Sequence, residues 1–410
     1  MNTKLPKKFN NTILKSLPFL FNYGALSYIF ILLNLVGEHA LSVNLSIFQA
    51  IIFLFTASFS GDFRSMFLGN NNFYYILIKY RIIAILAFLI IAFFSMPFID
   101  KSYHLIFSLL ALRRFLDWIE EILLLRSTKK NLVFIYSSTQ LLFLIPSPFI
   151  IIYIKSWLFI YMAFWIFSTS IIFIKEYKII FMEFLNKKLF IANTFINQPN
   201  LHRQIYATIF IAIGNFILRY SINQFHNIES ASAIISSFSI GGIAGSLISN
   251  TFIPNFLVYF KNIGSNRSSL MWYVFLQALI TIFILYFNLG RNYIESLNLD
   301  FYTLILSFLG GNIAILANFK RFYLLQIKKV TSEREDLIIN LFLLIVIFIL
   351  LHQLKHYYES ITLITSIFSF AIFSFRKDLV LNNKNIIFSW LLFYLLVLIF
   401  FPFFIFYMLF

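Results

Sequence analysis

Apolar stretches close to 20 residues long recur along the whole of this chain, and that is the length an α-helix needs to cross a bilayer. Thirteen such stretches can be counted in the 410 residues, separated by short polar loops. Composition points the same way. The chain is 60% hydrophobic and 12% charged, where a soluble domain carries about 25% charged residues. This pattern excludes a soluble enzyme, a disordered chain, a fibrous protein and a porin-type barrel. It predicts an all-α fold, a polytopic helical bundle in a membrane.

Basic residues orient the bundle. With the N-terminus inside and the spans alternating, twenty-five Lys and Arg fall in inside segments. Five fall in outside loops: Lys101, Lys155, Arg219, Arg291 and Lys355. Basic residues collect in cytoplasmic loops, so the split predicts a cytoplasmic N-terminus and, after thirteen spans, a C-terminus outside. It also accounts for the net charge of +16. The positive charge is spread over short loops with no aromatic-flanked basic cluster, so no nucleic-acid partner is expected. The first stretch follows Lys4, Lys7, Lys8 and Lys15 and precedes further spans, which reads as an uncleaved anchor rather than a signal peptide. There is no cysteine, which excludes disulfides and thiol chemistry.

The longest inside loop mixes Lys175, Glu176, Lys178, Glu183, Lys187 and Lys188 with Phe and Ile, the pattern of an amphipathic helix lying against membrane lipids. It divides the first twelve spans into six and six, an arrangement common in transporters built from repeated halves. The expected organisation is an N-terminal six-helix lobe over 1–175, a connector over 176–203, a C-terminal six-helix lobe over 204–376 and an extra transmembrane helix over 377–410. Aligning Glu38 with Glu229 pairs Ser46 with Ser237, Ile52 with Ile243 and Ser58 with Ser249, which is close to chance in so biased a sequence.

The first two spans carry a recognisable pattern: a basic N-terminus, a span, the short turn Gly37-Glu38-His39-Ala40-Leu41-Ser42, and a second span ending at Gly61-Asp62-Phe63-Arg64. The eighth span carries a late proline, Phe252-Ile253-Pro254. Together these resemble the oligosaccharide-lipid flippases (Wzx-type polysaccharide exporters) of the multidrug/oligosaccharidyl-lipid/polysaccharide exporter superfamily, over residues 1–376. The turn departs from the family's usual form in lacking its Pro and final Gly, and a thirteenth span has been added. The resemblance implies a multi-pass protein of the bacterial cytoplasmic (inner) membrane. Its substrate would be an undecaprenyl-diphosphate-linked oligosaccharide, flipped for O-antigen or similar polysaccharide export, with polysaccharide assembly proteins as partners. Transport would be coupled to H⁺ or Na⁺ rather than to ATP. The sequence has no Gly-x-x-x-x-Gly-Lys-Ser/Thr phosphate loop, no other cofactor is expected, and the protein is read as a transporter rather than an enzyme.

The residues themselves suggest where chemistry could reside. Arg113, Arg114, Asp117, Glu120 and Glu121 lie within nine residues of the fourth stretch. Arg113–Asp117 and Asp117–Glu121 are i,i+4 pairs on one helix face. A charge at the bilayer centre costs about 2.5–3.5 kcal/mol on insertion scales, so such a cluster requires a reason. One is a cavity in which Arg113 and Arg114 grip a diphosphate while Asp117 or Glu121 takes the coupling ion. A second is a set of internal salt bridges tying the fourth span to its neighbours, and a third is a displaced span that leaves Glu120, Glu121 and Arg126 in the interface. Arg64 and Arg219 are further candidates for substrate binding, or else charges that snorkel to the interface. His352 and His356 have a metal-compatible spacing but no third ligand, so no metal site is expected. Gly241-x-x-x-Gly245 allows close helix approach, and Gly310-Gly311, Pro146 and Pro148 can bend helices.

Two rival readings are weighed against flipping. A membrane glycosyltransferase or oligosaccharide polymerase would present acids on large outside loops. Here those acids are Glu38, Asp100, Glu229, Glu295, Asp300 and Glu359, on short loops with no Asp-x-Asp pair. A small-molecule or drug exporter of the same superfamily would favour a carboxylate-only cavity, whereas the fourth stretch is Arg-rich.

Overall fold

The computed structural model describes residues 24–25, 27–60, 88–90, 92–93, 97, 101–126, 138, 140–153, 159, 162–164, 166, 199–242, 267–324, 332–352 and 358–374. Among them every regular element is helical and there is no strand. Among the described residues two helices, His39–Thr56 and Phe301–Tyr323, are long and apolar enough to cross a membrane. Gln140–Ile150, Leu276–Phe287 and Tyr358–Ser374 are shorter apolar helices. Most of the expected connector, 176–198, and all of the expected extra span, 377–410, lie outside the described residues.

The chain divides into two compact units, Met1–Ser236 and Ser237–Phe410. In the first, helix α1 (27–35) turns into α2 (His39–Ser60) through a glycine. Gly37 has φ +86, the left-handed conformation that only glycine adopts without steric cost. Glu38 N–H donates to Leu33 O and Gly37 N–H to Asn34 O, the paired bonds that close a helix C-terminus. The Ser42 hydroxyl then donates to Phe30 O at 2.8 Å and ties α2 back to α1.

α2 packs against α3 (His104–Arg126), with Phe48 edge-on to Phe107 at 5.6 Å. The fifth apolar stretch breaks at Ile145–Pro146 before α4 (Ser147–Tyr153), as its prolines predict. A longer helix, α5 (Pro199–Phe225), lies along α2. It turns at His226–Asn227 into α6 (Ile228–Gly242). Asn227 caps α6, its Oδ1 accepting from Ser230 N–H at 2.8 Å.

The second unit is centred on α9 (Phe301–Tyr323), preceded by α7 (Arg267–Phe287) and α8 (Arg291–Ser296). It is followed by α10 (Glu333–His352) and, after a 3₁₀ turn at Tyr358–Ser360, by α11 (Ile361–Ser374). Asp300 starts α9 by accepting from Thr303 N–H at 2.8 Å. Lys320 and Arg321 occupy its last turn, where the helix dipole favours cations. One stripe of α9 (Phe301, Leu306, Leu309, Ile313, Leu316 and Ala317) packs with Ala278 and Leu285 of α7 and Leu363, Phe370 and Phe373 of α11. α9 and α11 approach closely because Gly310 has no side chain: a Cβ there would stand 2.8 Å from the Thr362 carbonyl carbon.

These helices bury an apolar core, yet they also expose large apolar side chains and bury some polar ones. Large apolar side chains such as Leu276, Phe283 and Tyr286 of α7 and Phe348 of α10 are more than half exposed. Asn34, Ser42, Ser46 and Ser232 are fully buried, and Arg113 and Asp117 nearly so.

Candidate functional site

α3 carries the buried charges. One helical turn separates Arg113 from Asp117, so their side chains lie on the same face. Arg113 Nε stands 2.8 Å from Asp117 Oδ1, and the two side chains are 1% and 3% exposed. The pair therefore neutralises itself within one helix. Arg114, one residue round the helix, is half-buried. Its guanidinium lies over the Phe53 ring of α2 at 5.9 Å, a cation–π contact, and its Nε is buried without a hydrogen-bond partner among the described residues. The side chains beyond Asp117 on α3, those of Glu120 and Glu121 included, lie outside the described residues, as does Arg64.

Arg219 of α5 meets α2 at another level. Its NH1 donates to Ser46 O at 2.7 Å and to Gln49 Oε1 at 3.3 Å. Its guanidinium lies 6.0 Å from the Phe30 ring centroid. Both oxygen partners are neutral, and no described carboxylate pairs with Arg219. Ser46, Gln49 and Phe53 are spaced i, i+3, i+7 and so form one stripe of α2. Arg219 and Arg114 meet that stripe at levels about 10 Å apart, at 1.5 Å of rise per residue. The structure thus joins Arg113 to Asp117 and brings Arg114 and Arg219 to one face of α2.

Sequence reasoning did not identify the polar groups beside Arg219. Asn34 Oδ1 accepts from the Ser232 hydroxyl at 2.7 Å and lies 3.0 Å from His39 Nδ1. The hydroxyls of Ser46 and Ser236 are buried with no hydrogen-bond partner among the described residues. A buried unmet hydroxyl costs about 1–3 kcal/mol. The serine spacing, Ser42 and Ser46 on α2 with Ser232 and Ser236 on α6, places each pair on one helix face. That spacing was the available clue.

The second unit holds separate polar groups at the two ends of α9. At its start Asp300 caps the helix, its own N–H donating to Ser237 Oγ at 2.8 Å. Glu359, half-buried in the turn before α11, has its carboxyl pushed up to about 8, by burial first and by the charge of Asp300 second. At its end Arg321 Nε stands 2.9 Å from Asp336 Oδ1, and Ser332 Oγ donates to Asp336 Oδ2 at 3.0 Å. Lys320 donates to the Ser374 hydroxyl and sits 4.3 Å from the Phe370 ring centroid.

In comparisons with known proteins, no family model, no curated protein and no solved structure matches this chain.

Proposed function

We propose that the chain is a multi-pass helical transporter of the cytoplasmic membrane. In this reading it flips an undecaprenyl-diphosphate-linked oligosaccharide from the inner to the outer leaflet by ion-coupled alternating access. Apolar helix surfaces around buried polar and charged groups support a lipid environment, where charged residues face the bundle interior or a water-filled cavity. The observation that carries the substrate reading is Arg219: a guanidinium held among helices by two neutral oxygens. Its charge stays available to an anion. Arg114, against Phe53 on the same stripe of α2, supplies a second cation, and guanidiniums bind phosphate oxygens bidentately. Arg113 differs, because Asp117 already holds it. It can serve the substrate only when a proton or Na⁺ neutralises Asp117, which makes Asp117 the coupling carboxylate in this proposal.

The test is flipping of lipid-linked oligosaccharide by the full chain reconstituted in vesicles. Arg219→Gln and Arg114→Gln should each slow flipping while membrane insertion is unchanged. Flipping by the Arg219→Gln/Arg114→Gln double variant at the wild-type rate would remove both residues from the substrate site.

A further inference from the structure

The neighbours of α10 define which side of it is committed. Asp336 pairs with Arg321 of α9 at 2.9 Å, and Phe342 stacks on Phe368 of α11 with ring centroids 3.8 Å apart. Val346, Ile347 and Leu350 are buried. The opposite side carries Arg334, Ile338, Leu341, Ile345 and Phe348, all of them exposed. These residues run i, i+4, i+7, i+11 and i+14, so they form one stripe along the helix. Arg334 and Asp336 are two residues apart, about 200° round the helix at 3.6 residues per turn. The pairing of Asp336 with α9 therefore turns Arg334 away from the bundle.

Arg334 makes no hydrogen bond or ion pair with another described residue. In the membrane reading above, charge alternation puts the start of α10 on the inner side, and the Arg321–Asp336 pair sets it level with the last turn of α9. From Arg334 to Ile345 the helix rises about 16 Å. That is close to one leaflet's share of a hydrocarbon core about 30 Å thick. A free guanidinium thus heads an apolar track as long as one leaflet is deep.

We propose that this face of α10 holds an anionic glycerophospholipid of the inner leaflet, its phosphate on Arg334 and an acyl chain along Ile338, Leu341 and Ile345. The inference rests on the membrane reading and not on the flipping activity. A guanidinium takes two phosphate oxygens at once. A choline or ethanolamine headgroup would bring its own cation beside Arg334, whereas a glycerol headgroup leaves the phosphate charge uncompensated. The site therefore prefers the anionic lipid.

The absence of native cysteine allows a single bimane label at Leu341→Cys, in the full chain reconstituted in phosphatidylcholine vesicles. Leu341 and Arg334 are both exposed, so neither substitution disturbs the core. Acyl-brominated phosphatidylglycerol should quench the label as if enriched about fivefold over brominated phosphatidylcholine, the worth of one basic residue at an anionic surface. Arg334→Gln should abolish that preference, and Arg334→Lys should keep most of it. A label at Phe348→Cys, about 21 Å along the helix from Arg334 and past the mid-plane, should show none. Equal quenching by the two lipids at Leu341, a preference that survives Arg334→Gln, or the same preference at Phe348 each overturns the headgroup site. No quenching by either lipid takes the stripe out of the bilayer, and the proposal falls together with the membrane reading of α10. If the preference follows Arg334 but the wild type moves no lipid-linked oligosaccharide, the lipid site stands and the substrate reading falls.

Discussion

Arg113 Nε stands 2.8 Å from Asp117 Oδ1, and both side chains are sealed from their surroundings almost completely. A pair this buried has given up the hydration of two ions, and their mutual attraction offsets part of that cost. Removing either partner takes a close counter-charge away from the other. In the proposed function the pair is a fixed structural element while Asp117 is ionised, and neutralising Asp117 frees the Arg113 cation.

Removing one member should therefore be worse than removing both. Asp117→Asn or Arg113→Gln alone is expected to destabilise the protein by about 3–5 kcal/mol, the usual cost of breaking a buried pair. The double variant Arg113→Gln/Asp117→Asn should recover much of that loss. Thermal unfolding in detergent reads the difference. Additive losses in the double variant would show that the two side chains are not energetically coupled.

The crossing of α9 and α11 gives a prediction free of charge effects. A Cβ at Gly310 would stand 2.8 Å from the Thr362 carbonyl carbon and 2.9 Å from Leu363 N, both backbone atoms that cannot rotate away. Gly310→Ala should cost about 1–3 kcal/mol, as overpacking does. Gly242→Ala is the control, since a Cβ there meets nothing within 4 Å among the described residues. Equal melting temperatures for the two variants would show that the helices do not cross at Gly310.

Glu359 should make the second unit sensitive to pH. Its carboxyl titrates near 8 instead of 4.5, because burial and then Asp300 disfavour its charge. A raised carboxyl favours folding while it is protonated. Its contribution is thus complete below about pH 4.5 and is lost as pH rises through about 8. The melting temperature of the wild type should fall relative to that of Glu359→Gln between pH 5 and pH 9 (about four units, spanning the shift). Parallel pH curves for the two proteins would rule out a titrating Glu359.

The helical character of the chain and the Arg113–Asp117 pair were legible in the sequence because both are local. Apolar runs follow the chain itself, and an i,i+4 pair needs only one helical turn. The partners of Arg219 were not legible: Ser46 lies 173 residues away, and nothing in a single sequence states that α5 lies along α2. Gly310 was read only as a point where its helix can bend; its missing side chain also admits the backbone of α11. Glu359 read as a plain outside-loop acid, because its nearness to Asp300 exists only once α9 and α11 have packed. The structure supplies a local reason for Gly37, whose backbone is in the left-handed conformation.

The central claim is that buried guanidiniums carry an anionic lipid-linked sugar across the bilayer, and a single measurement tests it most directly. Purified protein is reconstituted in vesicles loaded with undecaprenyl-diphosphate-linked oligosaccharide on the cytoplasmic leaflet, and its arrival on the opposite leaflet is followed with an imposed H⁺ or Na⁺ gradient. The account predicts transfer well above that of empty vesicles, dependent on the gradient and lost when Arg114 and Arg219 are both replaced by Gln. Transfer no faster than in empty vesicles, whichever gradient is imposed, would contradict it.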